Sequence, residues 1–131
     1  MKQIIFSLLL LVTFASCDKN SSGSDQLEGT YKGTFQRQIL GAGAISNVTI
    51  TFQDGKYEGE SDKPMYPALC KGNYSINKGK GQFENKCYWT ANFDWTLILN
   101  GEYQVTRNGN QLLIVKQYGN ESKDIYTLVK Q

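Results

Sequence analysis

The sequence predicts an all-β fold, an eight-stranded antiparallel up-and-down barrel without a C-terminal helix. Three observations carry this. From Leu27 onward apolar and polar residues alternate, with Thr, Tyr, Val, Ile and Phe abundant and no sustained helical period. Turn signals recur about every 8–12 residues, the spacing of a sandwich or barrel. Three dipeptides, Asp54-Gly55, Lys78-Gly79 and Asn108-Gly109, separate alternating runs as two-residue hairpin turns do.

Strands are expected near 28–38, 46–53, 56–61, 70–77, 80–87, 95–106, 111–117 and 124–130. The Asp54-Gly55 turn sets Phe52 opposite Tyr57 and Ile50 opposite Gly59. The Lys78-Gly79 turn sets Tyr74 opposite Phe83 and Cys70 opposite Cys87. The Asn108-Gly109 turn sets Val105 opposite Leu112 and Tyr103 opposite Ile114. Each pairing puts apolar on apolar across one face. In the last strand, Tyr126 and Leu128 are expected inward, with Asp124 against Lys116.

The remaining connections, about 39–45, 62–69, 88–94 and 118–123, are longer. In a meander, successive turns alternate between the two ends. The tight turns therefore gather at a floor and the long loops at a mouth, the shape of a cup just wide enough for side chains or one small ligand.

Cross-strand partners lie about 4.5–5.5 Å apart at Cα, within disulfide range, so Cys70 and Cys87 are expected to be bridged. In an oxidising compartment such a bridge persists.

With 131 residues the chain holds one domain. Its 14 basic and 12 acidic side chains leave a formal charge of +2, with no field toward nucleic acid. It has no His, so His-dependent triads and His-containing metal sites are excluded. With both domain cysteines paired, no activated nucleophile is expected. The reading is a non-enzyme with no cofactor.

Met1-Lys2-Gln3 is a short basic segment, and Ile4 to Phe14 is almost wholly apolar, too short to span a bilayer as a helix. Phe14-Ala15-Ser16-Cys17 follows. This resembles a bacterial lipoprotein signal with its lipobox, although Phe14 stands where Leu is more usual. The resemblance implies removal of residues 1–16, acylation of Cys17, and attachment to a bilayer, with the outer membrane as the expected site. Residues 17–26, rich in Ser, Gly, Asp and Asn, then form a tether to the 27–131 domain.

The run Leu27-Glu28-Gly29-Thr30-Tyr31-Lys32-Gly33-Thr34-Phe35 opens the first strand as lipocalin-like domains do. The stretch from Trp89 to Tyr103, with Tyr66-Pro67-Ala68-Leu69-Cys70, is similar to small lipocalin-like lipoproteins of Bacteroidota type. That resemblance implies an apolar ligand in the cup and a first long loop, Ile39 to Ile45, acting as a small, flexible, partial lid. Two features depart from the pattern. The lipocalin Gly-X-Trp is Gly29-Thr30-Tyr31, and no helix follows the last strand. Both leave open a reduced barrel with a filled interior.

The mouth loops carry Tyr66, Tyr88, Trp89, Phe93, Trp95 and Tyr118. Tyr and Trp combine an apolar body with a polar tip, suited to a binding rim or to stacking on sugars. Tyr66 and Tyr88 are expected exposed on that rim. Trp95 shares strand parity with Leu97 and Leu99 and is expected either to point inward as a plug or to meet ligand. Tyr103, on the inward face, is taken as a lining residue. Arg37 shares parity with Tyr31 and Phe35. Two roles suit it, a forked pair with a ligand carboxylate or a structural pair with Asp94.

Two functions follow as expectations. The first is a monomeric, membrane-anchored lipocalin-like protein binding a small apolar or amphiphilic ligand at the barrel mouth. The second is an envelope interaction or inhibitor module acting through the long loops.

Overall fold

The computed structural model describes residues 25–90 and 92–131. The expected leader, Cys17 and the tether up to Ser24 lie outside the described residues. The fold is the predicted one. Strands β1 (Gly29–Ile39), β2 (Ile45–Gln53), β3 (Lys56–Ser61), β4 (Lys71–Asn77), β5 (Lys80–Asn85), β6 (Gly101–Asn108), β7 (Gln111–Tyr118) and β8 (Ser122–Lys130) form a closed barrel in chain order. Closure comes from antiparallel β1–β8 pairing, with Tyr31 opposite Lys130 and Ile39 opposite Ser122. Among the described residues, the pairing, the core and the disulfide all lie within 27–131.

Local chemistry sets the floor. Asp54-Gly55 and Lys78-Gly79 have positive φ at both residues, the pattern of type I′ turns, whose twist matches that of the flanking strands. Phe52 faces Tyr57, and Tyr74 faces Phe83, as expected. The third hairpin differs. Asn108 pairs with Gln111, so the turn residues are Gly109-Asn110, and Val105 meets Ile114 rather than Leu112. Gly109 alone carries positive φ there, at the first central position, where type II′ turns take glycine. The slip is two residues, so every side chain keeps its face.

The mouth loops also differ from expectation. The β7–β8 connection is three residues, 119–121, rather than a long loop. The predicted sixth strand begins at Gly101, not at 95, because Trp95–Leu97 form a 3-10 turn with Asp94 as its N-cap. The β1–β2 connection is no loose lid. It folds back as a hydrogen-bonded turn, Ile39 and Ala42 exchanging N–H···O bonds of 2.8 and 3.2 Å.

Side chains fill the interior. Tyr31, Phe35, Phe52, Tyr57, Tyr74, Phe83, Tyr103 and Tyr126 are buried with Ile50, Leu112, Ile114 and Leu128. Many of the rings meet edge to face, as Phe83 and Tyr103 do at 5.4 Å. Leu27 closes the floor, its amide donating to the Tyr74 hydroxyl at 3.0 Å and its carbonyl accepting from it at 2.6 Å. At the mouth, Ala68, Ile98 and Leu99 are buried, and the Tyr57 hydroxyl reaches up to donate to the Leu99 carbonyl at 2.8 Å. Tyr126 and Leu128 point inward as predicted.

Candidate functional site at the loop-bearing end

Two loops cross the mouth and brace each other. Cys70 and Cys87 are bonded, with Cα atoms 6.3 Å apart, which ties the base of the 62–70 loop to that of the 86–100 loop. Farther along, the Ala68 amide donates to the Leu97 carbonyl at 3.0 Å, and Ala68 and Ile98 form a parallel bridge. The segment 94–99 thus becomes a strap that lowers Leu99 into the barrel top.

Arg37 latches the other end of the strap. Its Nε and Nη2 each donate to Asp124 at 2.7 Å. Nη1 donates to Asp94 at 2.7 Å and to the Thr96 hydroxyl at 2.9 Å, and Nη2 also reaches the Thr96 carbonyl at 3.2 Å. A guanidinium has five N–H donors, and protein acceptors here engage all five. The hydrogen bond to Asp124 holds the guanidinium well above its ordinary pKa against the cost of burial. Asp94 sits below the usual carboxylate range, chiefly because the Thr96 hydroxyl and amide donate to it, with Arg37 adding charge. The Tyr118 hydroxyl lies 3.1 Å from Asp124 and 3.3 Å from the Thr96 carbonyl, and burial with the neighbouring Asp124 pushes it up to about 12. Lys116 stands over the Tyr103 and Tyr118 rings, 5.1 and 5.5 Å from their centroids, and donates to the Asn100 carbonyl. This cluster is electrically balanced and satisfied from within, so it works as a brace.

The predicted site residues therefore divide. Arg37 takes the structural role, with no donor left for a ligand carboxylate. Tyr103 lies in the core rather than on a lining surface, because its ring packs against Phe83 and Tyr126. Tyr66 is half-buried rather than exposed. Its ring meets Phe35 edge-on at 5.3 Å, and its hydroxyl accepts from the Arg37 amide at 3.2 Å and donates to the Ala44 carbonyl at 2.9 Å. Trp95 is 59% exposed rather than an inward plug, because the 3-10 turn breaks the strand parity that aligned it with Leu97. Tyr88 is 99% exposed, as expected. Trp89 and Phe93 are half-buried neighbours with ring centroids 5.7 Å apart, and Phe93 in turn lies 6.3 Å from Trp95.

Two features carry signals that sequence reasoning missed. Asp124 is buried and is Arg37's main partner; the inward parity of Tyr126 and Leu128 already pointed it into the barrel. Leu40 is 76% exposed at a positive φ of 52°, with Ile39 and Ile45 exposed beside it. A bulky side chain in that region of φ is a genuine outlier. Among the described residues, no group of three or more His, Cys, Asp or Glu is placed to hold a metal ion. A groove of about 590 Å³ runs along the outer wall between β3 and β4, lined by Thr51, Lys56, Glu58, Lys71 and Asn73.

No protein-family model, curated protein or solved structure matches the chain.

Proposed function

We propose that this chain is an acylated envelope protein, held to the outer membrane through Cys17, whose loop-bearing end is its contact face. One observation carries the reading. The barrel interior is occupied by side chains, while five of the seven large exposed apolar side chains, Ile39, Leu40, Ile45, Tyr88 and Trp95, belong to the loop-bearing end, with Leu113 and Val129 on the outer wall. Exposed apolar side chains collected at one place mark an interaction site. The disulfide, the Arg37 latch and the Tyr66 brace hold these loops in place, which lowers the ordering cost of contact. The role is non-catalytic and needs no cofactor or nucleic acid.

The test is photo-crosslinking of the anchored protein in its native envelope, with a photoreactive residue at position 40, 88 or 104. Adducts at 40 and 88, with none at the outer-wall position 104, are expected. Equal labelling at all three, or none at the loops, overturns the reading.

The carrier reading keeps one supporting observation. The strap is apolar on its underside, at Leu97 and Leu99, and polar at its latch. A small apolar ligand would have to displace those leucines. Saturable binding of a lipophilic fluorescent probe, strengthened in Asp94→Ala, supports it; no binding in either protein removes it.

A further inference from the structure

The β1–β2 turn combines three properties that its own fold does not require. Its tip is wholly aliphatic: residues 39–45 read Ile-Leu-Gly-Ala-Gly-Ala-Ile, without one polar side chain. It holds Leu40 in a left-handed backbone conformation, next to Gly41 at φ 81°. Gly or Asn would relieve that conformation, and the Leu40 side chain is largely exposed rather than buried in the core.

The third property is the backbone. Solvent-exposed carbonyls can bond to water, yet five of the seven in residues 39–45 are bonded to protein. Ile39 and Ala42 accept from each other's amides. Gly43 accepts from the Gln36 side-chain amide at 2.8 Å. Ala44 accepts from the Tyr66 hydroxyl, and Ile45 from the Lys63 ammonium. The Leu40 amide donates to the Glu121 carbonyl at 2.9 Å. Satisfying most of the turn's backbone from within lowers the cost of bringing it to the edge of a hydrocarbon layer, where an unpaired polar group is costly.

We infer that this turn is a membrane-contacting tip: Ile39, Leu40 and Ile45 enter the hydrocarbon margin of a phospholipid bilayer, while Tyr88 and Trp95 rest at headgroup level. The inference rests on the loop-bearing end being the contact face and names its occupant. A lipid surface fits better than a protein pocket. Protein hot spots favour Trp, Tyr and Arg over Leu, whereas aliphatic insertion with Tyr and Trp at the margin is the pattern of membrane interfaces.

The anchor allows it. Nine residues separate Cys17 from Leu27, and the ten chain steps reach at most about 33–36 Å. The 11 residues of β1, tilted as barrel strands are, rise about 26–30 Å from floor to tip. Acyl chains and tip can therefore occupy one leaflet, with the barrel turned mouth-down beside its own tether.

The test is flotation of the unacylated domain, residues 25–131, with phosphatidylcholine vesicles. Leu40→Asn and Ile45→Asn are the variants, and Leu113→Asn, exposed on the outer wall, is the control. Asn tolerates the left-handed conformation, so Leu40→Asn keeps the turn; unchanged circular dichroism verifies folding. The wild-type domain and the control should float, and each tip variant should lose at least about fivefold in partition. Absence of wild-type flotation, or full flotation of the tip variants, overturns the inference. In the envelope experiment above, adducts to polypeptide rather than lipid at position 40 also overturn it, yet leave the contact-face reading standing.

Discussion

Arg37 and Asp124 are cross-strand partners on β1 and β8, and the guanidinium grips the carboxylate with two parallel hydrogen bonds of 2.7 Å. The pair sits at the seam that closes the barrel, with side chains 12% and 2% exposed. Its outer donors hold Asp94 and Thr96, so one side chain joins barrel closure to the strap.

Removing Arg37 leaves the buried Asp124 carboxylate without its cation. Arg37→Met should lower unfolding free energy by about 3–5 kcal/mol, while Arg37→Met with Asp124→Leu should cost much less. Urea denaturation of both variants checks this. A loss below about 1 kcal/mol for Arg37→Met would show that the pair is dispensable.

How much of this was legible in the sequence follows from which forces are local. The strand faces were readable because alternation has period two and half-buried strands must respect it. The disulfide was readable because one hairpin places Cys70 opposite Cys87. The third hairpin was misread by two residues because Asn108-Gly109 and Gly109-Asn110 both suit tight turns; only the backbone at Gly109 separates them. The strap was misread because Trp95, Leu97 and Leu99 alternate as a strand does. What bends them into a 3-10 turn is the Asp94 cap, held by Arg37 from far along the chain. Long-range contacts of that kind leave no trace in local spacing. The same holds for Tyr66, which its hydrogen bonds to Arg37 and Ala44 draw in from the rim.

The disulfide closes a sequence separation of 17 residues. Replacing Cys70 and Cys87 together by Ser should cost about 3 kcal/mol, mainly by freeing the unfolded chain. Thermal melts of the variant, and of the wild-type chain with and without reductant, should agree on that loss. Matching stabilities would contradict it.

Leu40→Gly should raise stability by up to about 1 kcal/mol, since glycine accepts the left-handed conformation and the leucine is 76% exposed. The same variant should weaken vesicle partition. Stability that falls on this substitution would mean that Leu40 serves the fold.

Alkaline pH should unfold the barrel. Burial raises the pKa of Tyr103 and Tyr126, and burial together with Asp124 raises that of Tyr118 to about 12. Once pH exceeds the unfolded value of about 10, the unfolded chain holds fewer protons than the native one. Stability is then complete below pH ~10 and falls as pH rises through it. Tyr118→Phe should reduce the slope between pH 10 and 12. A melting temperature flat across that range would refute the assignment.

Whether this barrel acts by its surface or its interior is most directly read by amide hydrogen exchange, comparing the acylated protein in its native envelope with the free domain. A surface role predicts added protection at 39–45 and 86–97, with the turns at 54–55, 78–79 and 109–110 unchanged. Protection gained instead at Phe83, Tyr103 and Tyr126 inside the wall, with the loop tips unaffected, would contradict it.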